Sequence, residues 1–176
     1  MGYMSELIGA CGQRSIGIAA MMNKGVTPEM FARLPTKDGK PVQTNHPAFV
    51  YGHLSIYPAR LLEMAGEDPS AVALPEEQLA LFTPKAECLD DPEGTIYPPM
   101  PDVMQRFMDG YTKALQRFGE WDDAKLAGPH QGAEAYQKLA PTLGIAATFF
   151  LTTHMAMHLG QVSAWRRFMG LGSVFG

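Results

Sequence analysis

Proline and glycine divide this chain into helix-length segments, and that division constrains its fold more than any other feature. Of the 176 residues, 14 are proline and 18 are glycine. Many of them fall in two long stretches, residues 24–45 and 67–100, where a continuous helix or a central strand is disfavoured. Outside these stretches, apolar residues recur at intervals of three and four, and no segment alternates convincingly with the period of a strand. The pattern therefore predicts an all-α fold.

Four long helices follow from this spacing. They are predicted from Ser5 to about Asn23, from Asn45 to about Gly66 with a kink at Pro58, from Pro101 to about Lys125, and from Pro141 to about Gly170. Short helices are predicted near Pro28, between Leu74 and Gln78, and from Ala133 to Leu139. Four substantial helices with long connections predict a four-helix bundle with long crossover connections. Because a chain of this length fits one hydrophobic core, residues 1–176 are predicted to form a single domain.

The charge and cysteine content exclude several classes of protein. The formal net charge is −4, and Arg166-Arg167 is the densest basic spot, so a nucleic-acid partner is not expected. The sequence contains neither a signal-peptide pattern nor an apolar run long enough for a membrane span. Cys11 and Cys88 are too few for a disulfide framework. We therefore expect a cytoplasmic protein that binds neither nucleic acid nor membrane.

Two histidines of the last predicted helix indicate a metal site. His154 and His158 are four residues apart, which places their side chains on one face of a helix with Cβ atoms roughly 6 Å apart. Both belong to an apolar stripe that also contains Phe150 and Val162. Buried neutral imidazoles need hydrogen-bond partners, and buried cationic ones repel each other. One metal ion would satisfy both rings, whereas the alternative is a pair of core histidines without a metal.

A third ligand is expected from the second helix. His53 lies on the apolar face of that helix and would complete a three-histidine site with an open coordination position. A lone histidine on such a face is also a common core residue. His46 competes for the same role, but it lies seven residues earlier, roughly 10.5 Å along the axis, so both cannot bind one ion. His130 lies in a predicted loop and is expected to be exposed. The predicted metal ligands are thus His53, His154 and His158.

Three segments resemble the DinB/YfiT-like superfamily of metalloproteins. They are the NHPAFVYGHL run at residues 45–54, the HMAMHLGQ run at residues 154–161, and the RRFMG run at residues 166–170. The resemblance implies a four-helix bundle that holds a divalent metal through one histidine of the second helix and two of the last. The matching positions here are again His53, His154 and His158. It also implies metal-dependent thiol transfer and a homodimer.

The predicted function is a metal-dependent enzyme that transfers a small-molecule thiol to a small electrophile. A metal ion held by neutral imidazoles can bind a thiol as thiolate or lower the pKa of bound water to about 7, so hydrolysis is a second use of the same site. The alternative function is a non-catalytic, stress-related metal-binding helical protein. An accessible cavity at the metal favours the enzyme, and a closed site with four ligands favours the alternative. Zinc is the expected metal, with nickel and iron as further candidates.

Three features near the predicted site have open roles. Gln161 lies one turn beyond His158 and either orients a ligand or is a plain surface amide. Glu63 is the nearest acidic residue after His53, and we expect it in solvent. The connection of residues 67–100, which departs from the shortest members of the superfamily, would either cover the site or extend a dimer interface.

Overall fold

A computed structural model describes residues 2–175 and is mostly helical. Helix accounts for 60% of the chain and strand for 2%, which confirms the all-α prediction. The terminal residues Met1 and Gly176, which the predicted domain includes, lie outside the described residues. No helix in the described part combines the length and the apolar run that crossing a membrane requires.

The helices follow the predicted segments, with several breaks. Their bounds are α1 Tyr3–Met22, α2 Pro28–Phe31, α3 Pro47–Leu54, α4 Tyr57–Met64, α5 Glu76–Phe82, α6 Met100–Gly119, α7 Asp123–Ala127, α8 Glu134–Leu139, α9 Leu143–Thr148 and α10 His154–Phe168, with a π-helical turn at Phe149–Thr153 between the last two. The chain between Met64 and Met100 contains only α5 as regular structure.

The core lies where α1, α3, α6 and the last helical stretch meet. The sequence of α6 shows the reason, since its buried residues recur at intervals of three and four and so cover one face: Val103, Phe107, Tyr111, Ala114 and Phe118. This face packs against α1, α3 and α4. Helix α3 is different, because all of its residues are buried. It therefore carries His53 into the interior of the molecule.

The second predicted helix is broken rather than kinked. Helix α3 ends at Leu54 and α4 begins at Tyr57. Pro58 has no N–H to donate to the Leu54 carbonyl, so the backbone ladder loses a bond where the break occurs. The third predicted helix is also shorter than expected, because α6 ends at Gly119 and α7 begins again at Asp123.

A small hairpin in the first long connection was not predicted. Thr36–Lys37 pairs in antiparallel register with Lys40–Pro41. The connecting residues Asp38 and Gly39 have φ angles of 53° and 75°. An Asp-Gly pair in this left-handed region is the usual sequence of a tight hairpin turn. The local signal was therefore present, although strands of two residues leave no alternation to detect.

The π-helical turn directly precedes the histidine pair. The His154 N–H donates to the Phe149 carbonyl, five residues back instead of four. The buried residues of this stretch recur every four residues, through Leu143, Ala147, Leu151, Met155 and Leu159. In a regular α-helix each such step overshoots a full turn by about 40°. The wider turn absorbs part of this drift and keeps the stripe facing the core, and such bulges are frequent at functional sites.

Candidate metal centre

The three predicted ligands come together in the fold. His53 lies near the end of α3, while His154 and His158 lie in the first turns of α10. Their ring centroids are 4.6 to 5.6 Å apart. One nitrogen from each ring lies within 4.8 Å of the other two. The Nε2 atoms of His154 and His158 are 3.2 Å apart, close to the roughly 3.3 Å expected for two nitrogens around a tetrahedral zinc ion.

The His53 ring is oriented by the backbone of the long connection. Its Nδ1–H donates to the Phe82 carbonyl at 2.8 Å. A carbonyl is only an acceptor, so the proton is on Nδ1 and the Nε2 lone pair points into the cluster. Gly52 permits this contact, because a Cβ at that position would lie 2.3 Å from the Phe82 ring. The long connection of residues 67–100 thus fixes the tautomer that a metal ligand requires.

Gln161 orients the His158 ring in the same way. Its Oε1 accepts from His158 Nδ1 at 3.1 Å and from Asn45 Nδ2 at 3.1 Å. The Asn45 amide fixes which end of the Gln161 side chain faces the ring. The Nδ1 of His158 therefore carries the proton, and its Nε2 is free to bind a metal. Of the two roles left open for Gln161, the structure favours the first, because its half-buried side chain is bonded to the His158 ring.

One ring nitrogen of the cluster, His154 Nδ1, has no hydrogen-bond partner. Nε2 of His53 and of His158 are both acceptors, because their Nδ1 protons are donated outward. His154 Nε2 faces His158 Nε2, while His154 Nδ1 is buried without a hydrogen-bond partner. Whichever nitrogen of His154 carries its proton, a buried ring nitrogen lacks a partner. A cation at the centre would use all three Nε2 lone pairs, so the residues fit a divalent metal.

Burial keeps these imidazoles neutral. It lowers the pKa of His154 to about 3, and repulsion from the other two rings and from Arg60 acts in the same direction. The pKa of His53 is lowered mainly by burial, against its bond to Phe82. Burial also lowers the pKa of His158, although the bond to Gln161 opposes it. All three rings are therefore available as ligands at neutral pH.

A cavity of about 480 Å³ opens onto the three histidines. Its wall is mainly aromatic and apolar, and includes Phe49, Tyr57, Tyr136, Phe149, Phe150 and Met157. No carboxylate lines it within the described residues. Glu63 is exposed, as expected. Within residues 2–175, these three histidines lie close enough together to hold a metal ion, and all three line the cavity.

The long connection helps to form this cavity. Thr83, Pro84 and Ala86 line it, directly after the Phe82 carbonyl that orients His53. Of the two roles predicted for residues 67–100, covering the site is thus observed. Cys88 lies nearby and is half-buried, and burial raises the pKa of its thiol to about 11. This thiol is protonated at neutral pH and is a poor nucleophile.

The two remaining histidines are buried and take no part in the cluster. The prediction that His130 is exposed is wrong, since only 4% of it is accessible. Its Nδ1 accepts from the Gly132 N–H, and its Nε2–H donates to the Ala140 carbonyl. His46 accepts from the Phe49 N–H at the start of α3 and donates to the Leu89 carbonyl in the connection of residues 67–100. The choice of His53 over His46 agrees with this geometry.

Sequence reasoning missed three groups beside the ligands. Asn45 was noted only as a helix start, yet it orients Gln161. Tyr57 is the second of these groups, and its hydroxyl lies 3.2 Å from His53 Nε2. Its position four residues after His53 is the signal that could have placed it on the same helix face. The Phe82 carbonyl had no sequence signal, because every residue carries a backbone carbonyl.

Comparison with known proteins does not extend this description. No family model matches the chain, and no curated protein matches it. The function therefore has to be argued from the site itself.

Proposed function

We propose that this protein is a DinB/YfiT-like metalloenzyme that transfers a small-molecule thiol to a small electrophile. The observation that supports it best is the cavity of about 480 Å³ at the three histidines, which leaves one side of the cluster accessible to a ligand. A purely structural metal site is normally closed by four protein ligands, whereas a catalytic one keeps a position open. The open cavity therefore favours the enzyme over the non-catalytic alternative.

Zinc is the metal that we propose for His53, His154 and His158. Neutral imidazoles suit several divalent ions, and zinc accepts a three-nitrogen set with an open position. When bound, the ion would supply a thiolate nucleophile at neutral pH. The chain's own residues hold the site: the Phe82 carbonyl and Gln161 orient two of the rings, and burial keeps the rings unprotonated.

The nucleophile in this proposal comes from a second substrate. Cys88 is protonated at neutral pH and does not line the metal cavity. In the proposed reaction, a sulfur–carbon bond forms between the thiol and the electrophile. The leaving group departs with the electron pair of its broken bond, and the thiol proton is released to solvent. The aromatic wall of the cavity keeps bulk water from the reacting atoms.

The finer fold assignment belongs to the same proposal. Helices α1, α3–α4, α6 and α9–α10 would be the four helices of a DinB-like bundle, with residues 24–45 and 67–100 as its long connections. A homodimer and a cytoplasmic location complete it. The support for these assignments is the order of the helices, the GHL and HxxxHLGQ segments that carry the resemblance, and the low cysteine count.

The test is thiol-dependent turnover by the zinc-loaded protein. Glutathione, cysteine and cysteamine would each be offered with 1-chloro-2,4-dinitrobenzene, and release of chloride and formation of the thioether would be followed. We expect turnover that disappears after chelation, returns on reloading with zinc, and is absent in His154→Ala. His130→Gln, which alters a buried histidine outside the cavity, should retain it. Turnover unchanged in His154→Ala would remove this site from the mechanism.

A further inference from the structure

The Tyr57 hydroxyl is placed where a bound metal would compete with it. It lies 3.2 Å from His53 Nε2, and the Tyr57 ring centroid is 4.2 Å from that of His154. Because His53 Nδ1 donates to Phe82, the Nε2 atom has one lone pair and no proton. The phenol is therefore the donor of this hydrogen bond.

That lone pair cannot serve a metal ion and the Tyr57 proton together. Metal binding at His53 consequently leaves the phenol without its acceptor. The Tyr57 side chain is buried, and a buried hydroxyl left without a partner costs about 1–3 kcal/mol. The same side chain lines the metal cavity, so its hydroxyl can turn to an acceptor there. A ligand in the cavity is the natural new partner.

Arg60 makes the same part of the molecule electropositive. Arg60 Nη1 donates to the Tyr136 hydroxyl at 3.3 Å, and its guanidinium carbon lies 5.4 Å from the Tyr57 ring centroid. Within residues 2–175, no carboxylate forms an ion pair with Arg60; Glu63 lines the neighbouring depression but lies beyond ion-pair distance. Together with a divalent metal, this charge favours an anionic ligand.

The rest of the cavity wall restricts the body of that ligand. Phe49, Phe149, Phe150 and Met157 offer aromatic faces and a thioether, and no acidic side chain lines the cavity in the described residues. Aromatic walls pack well against flat, apolar molecules, by offset stacking or edge-to-face contact. The volume of about 480 Å³ lies within the range that holds one small molecule.

We propose that the cavity binds a small carboxylate with a flat, apolar body, and that the Tyr57 hydroxyl, released from His53 by metal binding, donates to its carboxylate oxygen. Arylcarboxylates whose ring carries a leaving group such as a halide are the class with this chemistry. The inference rests on the metal site of the proposed function and deepens that proposal, because it names the class of the electrophile. Tyr57 is then a residue that recognises substrate rather than a core aromatic.

The experiment measures carboxylate binding to the zinc-loaded protein by calorimetry. The probes are benzoate, cyclohexanecarboxylate and acetate, which separate the effects of the charge, the apolar body and the flat ring. We expect benzoate to bind most tightly, at least about tenfold above acetate. Tyr57→Phe should weaken benzoate binding about tenfold, as loss of a hydrogen bond to a charged group does, while zinc affinity stays the same or rises. Zinc affinity is the readout that a merely structural role would lower.

Tyr111→Phe is the matched control. It also removes a buried phenol hydroxyl, but that hydroxyl has no hydrogen-bond partner and does not line the cavity. It should leave both zinc and benzoate affinity unchanged. A loss of zinc affinity in Tyr57→Phe would overturn the inference, since the phenol would then be part of the metal site. Equal affinity for benzoate and acetate would overturn the ligand class.

The outcome is separable from that of the proposed function. If benzoate binding depends on Tyr57 but no thiol is transferred, the proposed reaction fails and the carboxylate site stands. If thiol transfer occurs but the carboxylates bind equally in wild type and Tyr57→Phe, the reaction stands and this inference fails.

Discussion

The five histidines of this chain fall into two groups that are hydrogen-bonded in opposite ways, although four of the five are buried and only His158 is half-buried. His46 and His130 accept a backbone N–H at Nδ1 and donate from Nε2 to a backbone carbonyl. His53 and His158 instead donate outward from Nδ1, which leaves their Nε2 atoms facing each other and His154. In the first group both ring nitrogens are bonded to the backbone, whereas in the second the Nε2 atoms are bonded only to side chains of the site.

This difference teaches that burial alone does not identify a metal ligand. An imidazole that finds both partners in the backbone stabilises the fold, and a metal would have to displace one of those bonds. An imidazole that donates its Nδ1–H away from the site and directs its Nε2 into the site has the orientation that a metal ligand requires. We therefore propose metal binding for one group and fold stability for the other, and variants of each group can test this proposal.

The largest expected effect is the loss of metal affinity in His154→Ala. Removal of one of three ligands should exceed the 10–100-fold loss typical of outer-shell changes, so we expect more than about 100-fold. Competition with a chelator of known affinity would measure it. The thermal stability of the metal-free protein should not fall in parallel, because the deletion also removes an unpartnered buried nitrogen. Retention of wild-type zinc affinity would contradict the assignment.

For His46→Ala we expect lower fold stability without a loss of zinc binding. This variant removes the side chain that caps α3 and leaves the Leu89 carbonyl without its donor. Loss of a cap costs about 1 kcal/mol, and the unpaired carbonyl adds a similar amount, so the free energy of unfolding should fall by about 2 kcal/mol. Denaturant titration would measure the change. Zinc stoichiometry at saturation should remain that of wild type. A variant that folds but binds no zinc would contradict the assignment of His46 to fold stability.

How far the sequence predicts this molecule depends on how local each signal is. The long helices and the shared face of His154 and His158 follow from the helical period, which a few neighbouring residues determine. The π-helical turn before His154 could not be predicted from neighbouring residues, because the buried residues around it pack against α1, which is distant in the sequence. The burial of His130 depends on a carbonyl ten residues away, at Ala140. Loop packing of this kind leaves no pattern in residue type.

A smaller loss of zinc affinity is expected when Gln161, which orients the His158 ring, is changed. Gln161→Ala removes the acceptor that fixes the His158 tautomer, and zinc affinity should fall about 10-fold, the lower end for such partners. Gln161→Glu keeps an acceptor oxygen at this position and should restore most of the affinity. The readout is again competition with a chelator. If Gln161→Ala binds zinc as tightly as wild type, the ring does not need this partner.

The smallest effect is expected from pH, and it depends on the lowered pKa values of the ligand rings. Three unperturbed imidazoles with pKa values near 6.5 would lose about 65-fold in metal affinity between pH 8 and pH 6, because protonated rings cannot bind. Burial lowers the pKa of His53, His154 and His158, so their protons compete less and the loss should be a few-fold. Chelator competition at pH 8, 7 and 6, corrected for protonation of the chelator, would measure it.

The same lowered pKa values determine how the stability of the metal-free protein changes with pH. Each of these rings has a lower pKa in the folded state than in the unfolded state, where it is about 6.5. Its contribution to the free energy of unfolding is fully present above pH 6.5, and it is lost as pH falls toward the pKa of the folded state. His46, whose pKa burial also lowers, contributes in the same sense. Since zinc affinity should change only a few-fold over this range, zinc should raise the free energy of unfolding by a nearly constant amount between pH 8 and pH 6, and the dependence on pH should be nearly the same with and without zinc. A clearly steeper loss of stability with zinc than without it would show that the ligand rings take up protons in the folded metal-free protein, against their lowered pKa values.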